Sequence, residues 1–94
     1  MLAMKIEISD EVLFQEVSGE TVLLDLASEQ YFGLDAVGTR VWQLLGAGAS
    51  AEAVVETLLE EYEVEREQLA ADIDELLGRL AEAGLIRIVD EAGD

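Results

Sequence analysis

The feature that most constrains this chain is a change of hydrophobic period at Asp35. Before it, β-prone runs are broken by short turn segments; after it, apolar residues return every three or four positions. Val12 to Val17 is the first run, Ser18-Gly19-Glu20 supplies turn chemistry, and Thr21-Val22-Leu23-Leu24-Asp25-Leu26 resumes the extended pattern. Two such runs joined by a short Gly-containing link predict a hairpin. Ala27-Ser28-Glu29-Gln30 is polar enough for a second turn, and Tyr31-Phe32-Gly33-Leu34 follows as a short third strand rich in aromatics. The N-terminal part therefore reads as a three-stranded meander.

From Asp35, a good N-cap, Val37, Val41, Leu44 and Leu45 fall on one helical face, and Gly46-Ala47-Gly48 stops the helix. Ser50 can cap a second helix with Val54, Val55, Leu58, Leu59 and Tyr62 inward; Glu52, Glu56, Glu60 and Glu63 form its solvated stripe. A third helix runs from about Glu65 to Ala83 with Leu69, Ile73, Leu76, Leu77 and Leu80 inward. Gly84 then occupies the C′ position, and Leu85 to Val89 suits a short final strand ahead of a fraying tail from Asp90. The fold class is α+β: an N-terminal three-stranded antiparallel sheet followed by three helices, the layout of a winged helix-turn-helix. Residues 1–94 read as a single domain with its core at 12–89.

Charge narrows the function. Five Lys and Arg stand against 22 Asp and Glu, a formal net charge of −17. Such a polyanion is unsuited to DNA, RNA or an anionic membrane, where phosphate contacts need cations. Cys and His are absent, which removes disulfides, thiol and imidazole catalysis, and the two best zinc ligands. The N-terminus lacks the apolar stretch of a signal peptide, and no uncharged apolar run could span a bilayer. A cytoplasmic protein is expected.

Catalytic candidates are poor, and no catalytic residue is assigned. Ser9, Ser18, Ser28 and Ser50 have no histidine to activate them, and carboxylate pairs are unavoidable in so acidic a chain. No metal site or cofactor is expected. Asp72, Asp74 and Glu75 resemble a calcium-loop fragment but sit in a helical pattern without the required glycine or distal glutamate. A carrier-protein reading fails because neither Ala27-Ser28-Glu29 nor Ala49-Ser50-Ala51 is an Asp-Ser-Leu motif. Trp42 reads as a core or rim packing residue, and Gly38, inside the first helix, suggests close approach by another backbone element.

The most informative segment is Tyr31-Phe32-Gly33-Leu34. A short strand following a hairpin belongs at the sheet edge, and edges are usually guarded by Lys, Pro or bulges. This one carries no charge, and the chain has no proline. Either residues 85–89 or a second chain cover it, or it stays open for an extended peptide to add as a further strand. The residues alone do not choose between these.

The ordered set Val22-Leu23-Leu24-Asp25-Leu26, Gln30 to Asp35, and Gly38-Thr39-Arg40-Val41-Trp42-Gln43-Leu44-Leu45 resembles the PqqD-like family. These are the precursor-recognition elements of ribosomally made, post-translationally modified peptides. Gly48-Ala49-Ser50, Tyr62-Glu63-Val64 and Leu76 to Leu80 leading into Gly84-Leu85-Ile86 agree, so the resemblance covers residues 12–89. Within the family, the chain looks most like the freestanding leader-binding proteins of lasso peptide biosynthesis. The resemblance implies a winged helix-turn-helix that has given up DNA and has no catalytic activity. It implies binding of a precursor leader peptide as an added antiparallel strand, and delivery of that peptide to a leader peptidase. Carried over by position, the peptide-binding edge is Tyr31, Phe32, Gly33 and Leu34, with Leu69, Asp72, Ile73, Leu76 and Leu77 on the helix side of the groove.

Two positions depart from the family pattern. Asp35 stands where Asn is common, and both can cap a helix; Glu65 opens the third helix where Asp followed by Pro is common, and is the weaker cap. The alternatives are a recognition element of another modified-peptide pathway, such as one feeding a radical enzyme, and a winged-helix regulator acting through protein contacts. A basic third helix would favour the regulator, yet that helix carries only Arg66 and Arg79 among many acids. An exposed edge is compatible with a monomer or a weak strand-mediated dimer.

Overall fold

The computed structural model describes residues 4–90. Eight elements follow one another: β1 (Met4–Ile8), β2 (Val12–Val17), β3 (Glu20–Asp25), β4 (Gln30–Leu34), α1 (Ala36–Gly46), α2 (Ala51–Glu61), α3 (Arg66–Glu82) and β5 (Ile86–Asp90). β2, β3 and β4 form the expected antiparallel meander, in that order. Val17 pairs with Glu20 across the link of Ser18 and Gly19, whose φ angles are 56° and 83°. Positive φ at both central residues is the type I′ geometry, whose twist matches that of the flanking strands, and glycine adopts it without a Cβ penalty. At the second turn the buried Asp25 carboxylate accepts from the Ala27 N–H at 3.2 Å and the Ser28 hydroxyl at 2.8 Å. That turn thus satisfies its own buried charge.

The sheet's alternation sets its two faces. Thr21, Leu23 and Asp25 point inward and are buried, and the register sets Leu23 between Phe14 on β2 and Phe32 on β4. Against this face lie α1, with Val41, Trp42 and Leu45 buried, and beyond it α2 and α3. Phe14 meets the Trp42 ring edge-on, with centroids 6.2 Å apart, so Trp42 is a core residue as expected. A buried hydrogen bond from the Thr21 hydroxyl to that of Thr39, 2.8 Å, ties β3 to α1. We expect Thr39→Val to cost about 1–3 kcal/mol by orphaning Thr21, and Thr21→Val/Thr39→Val to recover most of the loss. Denaturant titration of the three variants checks this, and equal losses in single and double would reject it.

Caps and stops follow the sequence closely. Asp35 accepts from the Gly38 N–H at 2.8 Å and Ser50 from the Ala53 N–H at 3.1 Å, whereas Glu65 makes no side-chain cap bond. Gly84, φ +79°, ends α3 and lets the chain enter β5. α1 and α2 are joined by Arg40, whose Nε and Nη2 donate to the Glu61 carboxylate at 2.7–3.1 Å. Those hydrogen bonds hold the Glu61 carboxyl below its ordinary range.

One strand is added to the expected set, and three expectations are corrected. Met4–Ile8 is a strand, pairing antiparallel with β5 through partners such as Ile6 and Ile88. Met-Lys-Ile-Glu-Ile does alternate, but its partner lies at the far end of the chain, where local pattern has no reach. Val37 and Tyr62, expected inward, are each 37% exposed. α2 ends at Glu61, so Glu63 is not on its stripe. The close neighbour of Gly38 is a side chain, not another backbone: a Cβ there would stand 3.2 Å from Leu34 Cβ and Cδ2. No helix of the described residues is long and apolar enough to cross a membrane.

Candidate functional site

β4 is an edge strand. β3 pairs with one side of it, from Thr21 opposite Leu34 to Asp25 opposite Gln30. β5, one of the two covers considered above, is engaged with β1 instead. Among the described residues no strand pairs with the second side of β4, which therefore presents a row of backbone donors and acceptors.

Beside this edge lies a groove of about 470 Å³ between β4, the start of α1 and one face of α3. Phe32, Gly33 and Leu34 form its strand side; Asp72, Glu75, Leu76 and Arg79 form its helix side. Those four helix residues recur at i, i+3, i+4 and i+7, which sets them on one stripe of α3. Phe32 and Leu76 are half-buried and Val37 is partly exposed, so the floor is apolar and accessible. The rim is charged: Asp35, Asp72 and Glu75 are carboxylates, and Arg79 is the one cation lining the groove. Its guanidinium sits 5.4 Å from the Phe32 ring centroid, a cation–π contact that steadies both side chains. Gln68 Nε2 donates to Asp72 Oδ1 at 2.9 Å and orients that carboxylate along the helix. The groove can thus hold an extended chain by its backbone, take apolar side chains on its floor, and attract positive charge at its rim.

The structure brings together five of the nine residues singled out from sequence: Phe32, Gly33, Leu34, Asp72 and Leu76. Tyr31 lies on the same strand but on the opposite sheet face from Phe32, 74% exposed. Leu69, Ile73 and Leu77 do not reach the groove; with Leu80 they make the buried stripe of α3. Ile73 and Leu77 also line a separate depression between α2 and α3, with Val55 and Ala70. The groove residues missed were Asp35, Val37 and Gly38 at the start of α1, and Glu75 and Arg79 on α3. Helical spacing from Asp72 and Leu76 leads to Glu75 and Arg79, whereas the apolar period marks the core stripe, from which the groove stripe is offset.

An α+β, winged-helix-like domain with an open sheet edge beside a helix-walled groove is the class that these elements define. Within it, this chain belongs to the PqqD family: the family described as coenzyme PQQ synthesis protein D (PqqD) matches residues 20–86. No curated protein matches the chain. Two solved structures are similar. One is TbiB1 in complex with the TbiA(beta) leader peptide, 41% identical, with a TM-score of 0.83 over 86% of this chain and 94% of that one. The other is a lasso peptide synthetase B1 complexed with the leader peptide, 32% identical, with a TM-score of 0.79 over 87% of this chain and 96% of that one.

Proposed function

We propose that this protein is a non-catalytic adaptor that binds the leader segment of a ribosomal precursor peptide, of the lasso class, and presents it to a leader peptidase. The observation that carries the reading is the open β4 edge beside an apolar-floored groove, in a chain similar to two proteins solved with leader peptides. The leader adds to β4 as a further antiparallel strand. Its residues opposite Phe32 and Leu34 drop into the groove toward Leu76, and main-chain hydrogen bonds supply affinity without dictating sequence. Ordering a flexible peptide costs about 2–5 kcal/mol, so a few buried anchors must supply the surplus. Asp72 and Glu75 meet basic leader residues and raise the association rate at low salt. The adaptor works in the cytoplasm, where its precursor is translated, and no step of it requires a cofactor. The lasso assignment is favoured over a radical-enzyme pathway by the description of one solved relative as a lasso peptide synthetase component.

An amide-shift titration with isotope-labelled protein and a synthetic leader from its own precursor tests the reading. Saturable shifts at residues 30–34 and on the Asp72, Glu75, Leu76 and Arg79 stripe are expected. Shifts centred instead on the α2–α3 depression, or no shifts at high micromolar leader, would reject it.

A further inference from the structure

The outward face of the β2-β3-β4 sheet breaks the rule for a sheet with one solvated side, whose exposed positions are normally polar. The register lines up Leu13, Leu24 and Tyr31 across the three strands, and next to them Gln15, Val22 and Gly33. Leu13 is 56%, Val22 45% and Tyr31 74% exposed. Gln15 is the one amide side chain in these two rows, and Gly33 leaves the surface flat beside Val22. Contiguous exposed apolar surface of this kind marks an interaction site.

We propose that this face docks the protein that acts on the bound peptide, and that this partner meets it with an apolar patch rimmed by Lys and Arg. The charge pattern selects such a partner. No Lys or Arg occurs between Lys5 and Arg40, while Glu11 and Glu29 stand at one end of the sheet and Glu20 at the other. An apolar centre whose flanking charges are all acidic is complemented by a basic rim. A second copy of this chain is disfavoured, since it would bring two net charges of −17 face to face.

Continuity with the peptide edge selects the partner's role. Side chains alternate across a sheet, so a strand added to β4 sends its residues opposite Tyr31 and Gly33 onto this outer face. The docking surface then becomes a composite of Leu13, Val22 and Tyr31 with every second residue of the peptide, and is complete only when the peptide is bound. A partner seated there distinguishes the loaded adaptor from the empty one. This inference rests on the leader-binding reading above.

The test uses the full chain, a fluorescein-labelled synthetic leader and the purified leader peptidase that cleaves the same precursor. In Leu13→Thr/Val22→Thr the exposed positions keep a β-forming residue but lose their apolar surface. Leader affinity, read by anisotropy, is expected to stay within about twofold of wild type, because neither residue lines the groove. Association with the peptidase in the presence of leader is expected to weaken at least about 30-fold, as for the loss of an interface centre. Val22→Lys should weaken it more than Val22→Glu, and wild-type association should fall as salt rises. Unchanged association in the double variant, with leader binding intact, would overturn the docking face. So would a wild-type dimer in sedimentation that the double variant abolishes, which would give the face to a second copy. A wild-type protein that fails to bind leader at all would instead remove the leader reading, and this inference with it.

Discussion

A Leu76→Asp protein is expected to fold and to lose at least about a hundredfold in leader affinity, or about 2.7 kcal/mol. Leu76 is half-buried, and its neighbours on the groove stripe of α3 are Asp72, Glu75 and Arg79. It is therefore the one apolar side chain that the helix offers to a peptide lying along β4. A carboxylate there removes the anchor and adds a third negative charge to the stripe, four residues from Asp72 and adjacent to Glu75. When a peptide closes over it, that charge is desolvated at a position where the leader's apolar anchor would otherwise pack. Fold is checked by circular dichroism, and affinity by anisotropy. Leu76→Ala, which removes the anchor without the charge, should lie between wild type and Leu76→Asp. Wild-type affinity in a folded Leu76→Asp protein would rule out the groove.

The reach of the sequence differs between edge and helix for a physical reason. The meander, the three helices and two of their caps were legible because each depends on local chemistry: Ser18-Gly19 at a tight hairpin, and Asp35 and Ser50 bonding to the N–H three residues on. β1 was not legible, because a five-residue strand becomes one only through its partner, and Ile6 finds Ile88 across nearly the whole chain. The same division runs through the site. Phe32, Gly33 and Leu34 were readable as an uncharged edge. On α3, the strongest apolar periodicity picks out Leu69, Ile73, Leu77 and Leu80, which is the stripe that faces the core. A groove between a helix and a sheet edge is lined by the helix's flank, where apolar and charged residues mix. Hydrophobic period thus reports how α3 is held, and misses most of what it offers to a ligand.

Stability and binding meet at Leu23, and Leu23→Ala is expected to lower unfolding free energy by about 3 kcal/mol, within the range for buried leucines. Leu23 is fully buried on the central strand and opposes both Phe14 and Phe32 in register. Its loss opens a cavity beside the open edge strand, and β2 and β4 cannot close it without giving up their pairing with β3. In a domain of this size the loss is a large part of the whole stability. Urea unfolding should show a lower midpoint with an unchanged slope. A peptide that binds only the folded form must then restore stability in proportion to occupancy, by about 2.7 kcal/mol at about a hundred times its dissociation constant. The double variant Leu23→Ala/Leu76→Asp should show the same loss with no such recovery, because it lacks the anchor that couples peptide to fold. A leader that rescues Leu23→Ala and the double variant equally would mean that stabilisation does not pass through the groove. A Leu23→Ala loss below about 1 kcal/mol would mean that the sheet relaxes around the cavity and that β4 is not held rigid by the residue beneath it.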